Sequence, residues 1–174
     1  QRGDRKHIWE RNKKIVPNLK IFKSVNGYNK EETLRELKKS GLKYHNLNFQ
    51  TWGTLACWLT KVKMIQHQIT HKIPFICFME DDLILEDQWV QYCFNRRALI
   101  NPAMNIVRLC PWGEGYITSL ECAKRLMAIF KKDGIRLNID NQLRSMKEIH
   151  IDEMPPAMLG SRTNDGDCLK TDPL

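Results

Sequence analysis

The sequence predicts an α/β domain with a mainly parallel central sheet flanked by helices, and two observations carry that expectation. The first is the stretch over residues 74–85, where five apolar residues, Phe75 to Met79, stand between a proline and three consecutive acids, Glu80, Asp81 and Asp82. An apolar run of this length without polar alternation reads as a strand buried on both faces, as in parallel sheets. The second is the order of the pieces around it, in which amphipathic helical patterns are interleaved with short apolar runs.

Residues 4–15 set Ile8, Trp9 and Ile15 among many charges, which predicts a short amphipathic helix ending before Pro17. LKIFKSV, residues 19–25, alternates loosely and predicts a strand running into the turn pair Asn26-Gly27. Residues 29–41 carry acids in their first turn, lysines in their last and Gly41 just beyond, so a capped helix is expected with charges matched to its dipole. Residues 42–50 read as loop. From Thr51 to Lys72, Trp52, Leu55, Ala56, Leu59, Val62, Ile65 and Ile69 recur at three- and four-residue spacing, the mark of a long helix with one buried stripe.

Beyond the acids, residues 86–100 predict another amphipathic helix with Trp89, Val90, Cys93 and Phe94 inward. NIVRLC (105–110) predicts a second apolar strand, PWGEG a loop, and Tyr116-Ile117 a little more strand. Ser119 is placed to cap the helix LECAKRLMAIFKKDG, which stops at Gly134. A short helix is expected to open at Asp140 and a last strand to cover 148–152, after which the chain becomes a polar, turn-rich tail.

The 174 residues suit one domain over 1–174 with a real core. The opening is polar with no strand ahead of it, so the chain is expected to be a piece of a longer one. No apolar run approaches the ~20 residues of a membrane span, and no secretory signal, CxxC pair or Asn-x-Ser/Thr sequon is found. A cytoplasmic location is expected, with the five of six cysteines that fall in apolar stretches as small buried hydrophobes.

The net charge of +8 lies wholly in residues 1–45, which hold 13 Lys/Arg against 5 Asp/Glu, while the remainder holds 15 of each. Glu80 and Asp82 project to one side while the strand stays extended, and two such carboxylates repel unless something positive lies between them. A divalent, oxygen-liganded cation is the economical answer; a solvated turn, or caps of the following helix, is the other. A basic third beside an acidic metal site points to a phosphate-bearing ligand. A solvated basic face, or a patch for nucleic acid or acidic membrane, fits the charge alone equally well.

The ordered set GTLACWLTKVKMI, PFICFMEDD, GEGYITSLECAKRL and NID resembles the glycosyltransferases of family twenty-five, the lipopolysaccharide and collagen galactosyltransferase family. The matching positions are Gly53, Ala56, Cys57, Thr60 and Lys61, then Glu80-Asp81-Asp82, Tyr116-Ile117-Thr118-Ser119 and Asn138-Ile139-Asp140. The N-terminal RGDRK is similar to that family's Arg-rich opening, and Val25-Asn26-Gly27 to its Ala-Val-Asp-Gly turn. Thr60-Lys61 stands where the family has Ser-His, Asn26 where it has aspartate, and Asn138 where it has proline.

The resemblance implies a GT-A fold and transfer of a sugar from a nucleotide-diphosphate donor, a UDP-hexose favoured, to a hydroxyl of a glycan or glycoprotein. Mn²⁺ or Mg²⁺ held by Glu80 and Asp82 would neutralise the leaving diphosphate, with His150 as third ligand and Asp165 and Asp167 as further candidates. Donor binding falls to Arg2, Arg5, Asn26, Gly27, Lys61 and Asp81, with Lys6 near the phosphates. Asp140 is the expected base of an inverting transfer, its other reading being a helix cap. Trp112 and Tyr116 are the expected acceptor platform. A metal-dependent nuclease or phosphatase, and a non-catalytic nucleic-acid binder, are the alternatives; no nucleic-acid partner is expected.

Overall fold

The computed structural model describes residues 5–45, 51–85, 105–108, 115–153 and 161–162. Three helices form where apolar spacing and end signals coincide: α1 (Lys6–Ile15), α2 (Lys30–Ser40) and α3 (Trp52–Thr70). In α2 the Asn29 side chain accepts from the Glu32 N–H, and Gly41 closes the helix in the left-handed region at φ 67°. In α3 Thr51 caps through the Thr54 N–H, and the buried stripe is the expected one, through Leu55, Leu59, Val62 and Ile65.

The strands are β1 (Phe75–Met79), β2 (Leu83–Ile84), β3 (Asn105–Arg108), β4 (Gly115–Ser119), β5 (His150–Glu153) and β6 (Ser161–Arg162). Helices α4 (Leu120–Asp133) and α5 (Ile139–Ser145) lie between β4 and β5. Ser119 caps α4 through the Cys122 N–H, and Gly134 ends it.

Four strands form one sheet in the order β1-β4-β3-β5, and β2 pairs with β6 in a separate two-stranded ribbon. The expectation of a mainly parallel sheet needs correction here. Among the described strands only β3 and β5 pair in parallel, whereas β4 runs antiparallel to both of its neighbours, β1 and β3. The Tyr116-Ile117 strand, expected to be slight, is five residues long and central. It enters between β1 and β3 and reverses the direction of an otherwise parallel set. The architecture is thus a mixed α/β sheet with helices, compatible with a glycosyltransferase fold.

Two further strand expectations change. Residues 75–79 read as doubly buried, yet β1 ends the described sheet order; Phe78 is buried and Cys77 is exposed. Residues 19–25 form no strand, because a strand needs a ladder partner and none is present among the described residues. The segment is instead fixed to α3, where the Val25 N–H donates to Thr60 Oγ1 at 2.9 Å. Gly27 then lies so close to α3 that a Cβ there would meet Gly53 Cα at 2.7 Å.

The sheet buries both faces. Ile76, Phe78, Ile106 and Tyr116 pack with α3 and α4 residues such as Trp58, Leu59, Leu126 and Phe130. Val107 and Ile117 meet Leu83 and Leu85 on the other face, with Ile15 and Val16 at the end of α1. Three buried carboxamides lock the layers. Asn12 on α1 donates to the Leu83 carbonyl at 2.6 Å and accepts from the Leu85 N–H at 3.0 Å. Gln68 joins α3 to Thr118 on β4, and Gln142 ties α5 to Gly134, Arg136 and Leu137.

The helix expected over 86–100, residues 109–110 of the second strand, Trp89, Cys93, Cys110 and Cys168 lie outside the described residues. No described helix is long and apolar enough to cross a membrane.

Candidate functional site

The pairings mean that β1, β3 and β5 point one way, so the C-terminal ends of β1 and β3 share an edge with the start of β4. Phe78, Tyr116 and Arg108 lie in one cross-strand row there, and paired side chains share a face. Glu80 follows Phe78 by two residues. This is the carboxyl edge at which open α/β sheets bind ligands.

The extended backbone stops at Met79. A turn follows, with the Leu83 N–H donating to the Glu80 carbonyl at 3.3 Å, and it breaks the alternation that would set Glu80 and Asp82 side by side. Each acid meets a cation of the protein itself. Lys61 Nζ lies 3.0 Å from Glu80 Oε1, while Arg5 pairs with Asp81 and stands 3.6 Å from Asp82 Oδ2. Asp82 and Arg5 are buried and Asp81 is exposed. Buried Arg5, just ahead of α1, thus faces the acids because Asn12, two turns on, clamps the same segment.

Lys61 reaches further. Its Nζ is 3.8 Å from Asp140 Oδ1 and 5.0 Å from the centre of the Tyr116 ring, and the Tyr116 hydroxyl donates to the same Asp140 Oδ1. Its side chain is only 12% exposed, against 31% for Asp140. Burial alone would pull the Lys61 ammonium down, but Glu80, Tyr116 and Asp140 around it outweigh that and hold it well above the ordinary lysine range. Burial pushes the Tyr116 phenol far up, only partly offset by Lys61, so it remains a proton donor.

Asp140 is not the cap of its helix. Asn138 takes that place, accepting from the Asn141 N–H at 3.0 Å, and leaves the Asp140 carboxylate to face Tyr116 and Lys61. The start of α5 is held against α3 by Trp58, whose indole N–H donates to the Leu137 carbonyl at 2.8 Å.

The other expected residues are placed as follows. Asn26 is exposed and its side chain accepts from the Tyr28 N–H, a local turn bond, while Gly27 gives the close approach to α3 beside the site. Lys6 is exposed and pairs with Glu10 on its own helix. Tyr116 is 5% exposed with its ring beneath Lys61, so it offers no open face as an acceptor platform. His150 pairs with Asn105 at the start of β5, on the opposite edge of the sheet, roughly 15 Å along the strand direction from Glu80. Arg2, Trp112, Asp165 and Asp167 lie outside the described residues.

The expected metal set of Glu80, Asp82 and His150 does not assemble. Glu80 and Asp82 turn to separate cations, His150 is at the far edge, and no group of three His, Cys, Asp or Glu suited to a metal occurs among the described residues. Sequence reasoning missed Asn12 and the buried Arg108. An amide in a polar helix turn carries no signal of burial, and Arg108 ends an apolar run where a charge reads as the way out to solvent.

The family model for glycosyltransferase family 25 (LPS biosynthesis protein) matches residues 1–112. The match takes in Arg5, Lys61 and the three acids and stops short of Tyr116 and Asp140. No curated protein matches the chain.

Proposed function

The chain belongs to glycosyltransferase family 25, and from that premise we propose that it moves a hexose from a nucleotide-diphosphate donor, UDP favoured, to a hydroxyl of a glycan or glycoprotein with inversion. The observation that supports this reading is the convergence of Lys61, Glu80, Tyr116 and Asp140 at the carboxyl edge of the sheet.

Asp140 is the general base. Both of its contacts engage Oδ1, which leaves Oδ2 to take the acceptor proton. The acceptor O–H proton passes to Oδ2 as the acceptor oxygen bonds the anomeric carbon; the bond from that carbon to the diphosphate breaks, and its electron pair leaves on phosphate oxygen. Lys61 and Arg5 supply positive charge beside the acids, which keeps this edge from repelling an anionic donor.

The test is calorimetric titration with UDP and with GDP, each with and without Mn²⁺, together with a transfer assay on a panel of UDP-hexoses. One diphosphate should bind, and Asp140→Asn should bind it equally well while transfer falls by about 100-fold or more. A folded protein that binds neither diphosphate removes the proposal.

A further inference from the structure

We propose that Tyr116 and Lys61 form a positioning pair that holds Asp140 Oδ1 from two directions, so that Oδ2 alone is presented to the acceptor hydroxyl. The inference rests on the reading of Asp140 as the base. It assigns Tyr116 and Lys61 to aiming the carboxylate, whereas their sequence context suggested acceptor and donor contacts.

Three elements meet at one oxygen. Tyr116 comes from β4, Lys61 from α3, and Asp140 from the first turn of α5. The phenol donates to Oδ1 and the ammonium lies 3.8 Å from the same atom, so turning the carboxylate would break both contacts. Each partner is itself fixed. The Tyr116 ring is buried in the row between Phe78 and Arg108, and Lys61 is anchored to Glu80 at 3.0 Å and lies over that ring.

The backbone of Asp140 is equally restrained. Asn138 caps the helix and Trp58 holds Leu137, so neither helix capping nor helix movement competes for the carboxylate. A base held this way starts close to its reacting geometry. Misplacement by about 1 Å can cost on the order of 100-fold in rate. Neither partner is consumed: during transfer the proton goes to Oδ2, Tyr116 keeps its own, and Lys61 remains an ammonium.

The experiment compares Tyr116→Phe, Lys61→Met, Lys61→Arg and Asp140→Asn in steady-state transfer, with nucleoside diphosphate affinity measured alongside. Tyr116→Phe keeps the ring and its packing and removes only the hydroxyl. It should lower kcat by about 10- to 100-fold with both KM values and diphosphate affinity within about twofold. Lys61→Met should lower kcat as well, together with a loss of diphosphate affinity because it also removes positive charge beside the donor, and Lys61→Arg should recover part of both. An unchanged kcat in Tyr116→Phe, or a raised acceptor KM at constant kcat, overturns the pairing. If Asp140→Asn is inactive and Tyr116→Phe behaves as wild type, only this inference fails. If Asp140→Asn is fully active, the base reading fails and the pairing with it.

Discussion

At the scale of single residues, Lys61 concentrates more of the site than any one acid. It lies between two carboxylates and over an aromatic ring, at 12% side-chain exposure. Removing it leaves Glu80 and Asp140 facing each other without a cation. Lys61→Met should therefore cost about 2 kcal/mol in urea unfolding, and adding Glu80→Gln should return part of that loss, because the second change removes the charge left behind. Equal losses in the single and double variants would show that the methylene packing of Lys61, and not its charge, carries the effect. The sequence flagged Lys61, Glu80, Asp82, Tyr116 and Asp140 one by one. Which cation meets which acid was not legible, since the pairings join separate elements and depend on a turn at Glu80–Leu83 that no glycine or proline announces.

At the scale of elements, the helices were readable because their signals are local: a cap at Ser119, dipole-matched charges in α2, stops at Gly41 and Gly134, and apolar stripes between them. Strands depend on partners remote in the chain. So residues 19–25 looked like a strand and are not one, while β2 and β6, two residues each, left no pattern to read. The buried amide of Asn12 satisfies backbone groups of β2 and of the residue just beyond it. Asn12→Leu should destabilise by about 2–3 kcal/mol in urea unfolding, since the Leu83 carbonyl and the Leu85 N–H both lose a buried bond. Gly27→Ala should cost about 1–3 kcal/mol by pushing the 25–28 turn off α3, and Gly27→Ala as stable as wild type would show that the turn can shift freely.

At the scale of the whole molecule, three buried proton donors among the described residues contribute to the response to alkali. Burial pushes the Cys122 thiol from 9.0 up to about 12, burial pushes the Tyr116 phenol up from 10.0, and the charges around Lys61 outweigh its burial to raise it from 10.5. In each case the folded state keeps a proton that the unfolded state releases. Stability from these groups is therefore complete below pH 9, the lowest of the three unfolded values, and is lost as pH rises through the folded ones. Each group, once titrated in the unfolded chain, contributes a slope of up to about 1.4 kcal/mol per pH unit. Urea midpoints should stay level with respect to these groups from pH 7 to 9 and fall above that, and Cys122→Ala should delay the onset of the fall. A midpoint insensitive to pH up to 11 in wild type would contradict it.

The amide of Leu85 is buried and bonded to the side chain of Asn12, seventy-three residues away in sequence, and among the described residues it meets no backbone carbonyl. Its exchange with deuterium is consequently gated by the undocking of α1, even though the amide belongs to the chain just after the acids. A single resonance would report, in real time, whether the helix that brings Arg5 to Asp81 and Asp82 is seated. Donor added to the protein should then lengthen or shorten the lifetime of that one proton according to whether α1 closes on it or gives way.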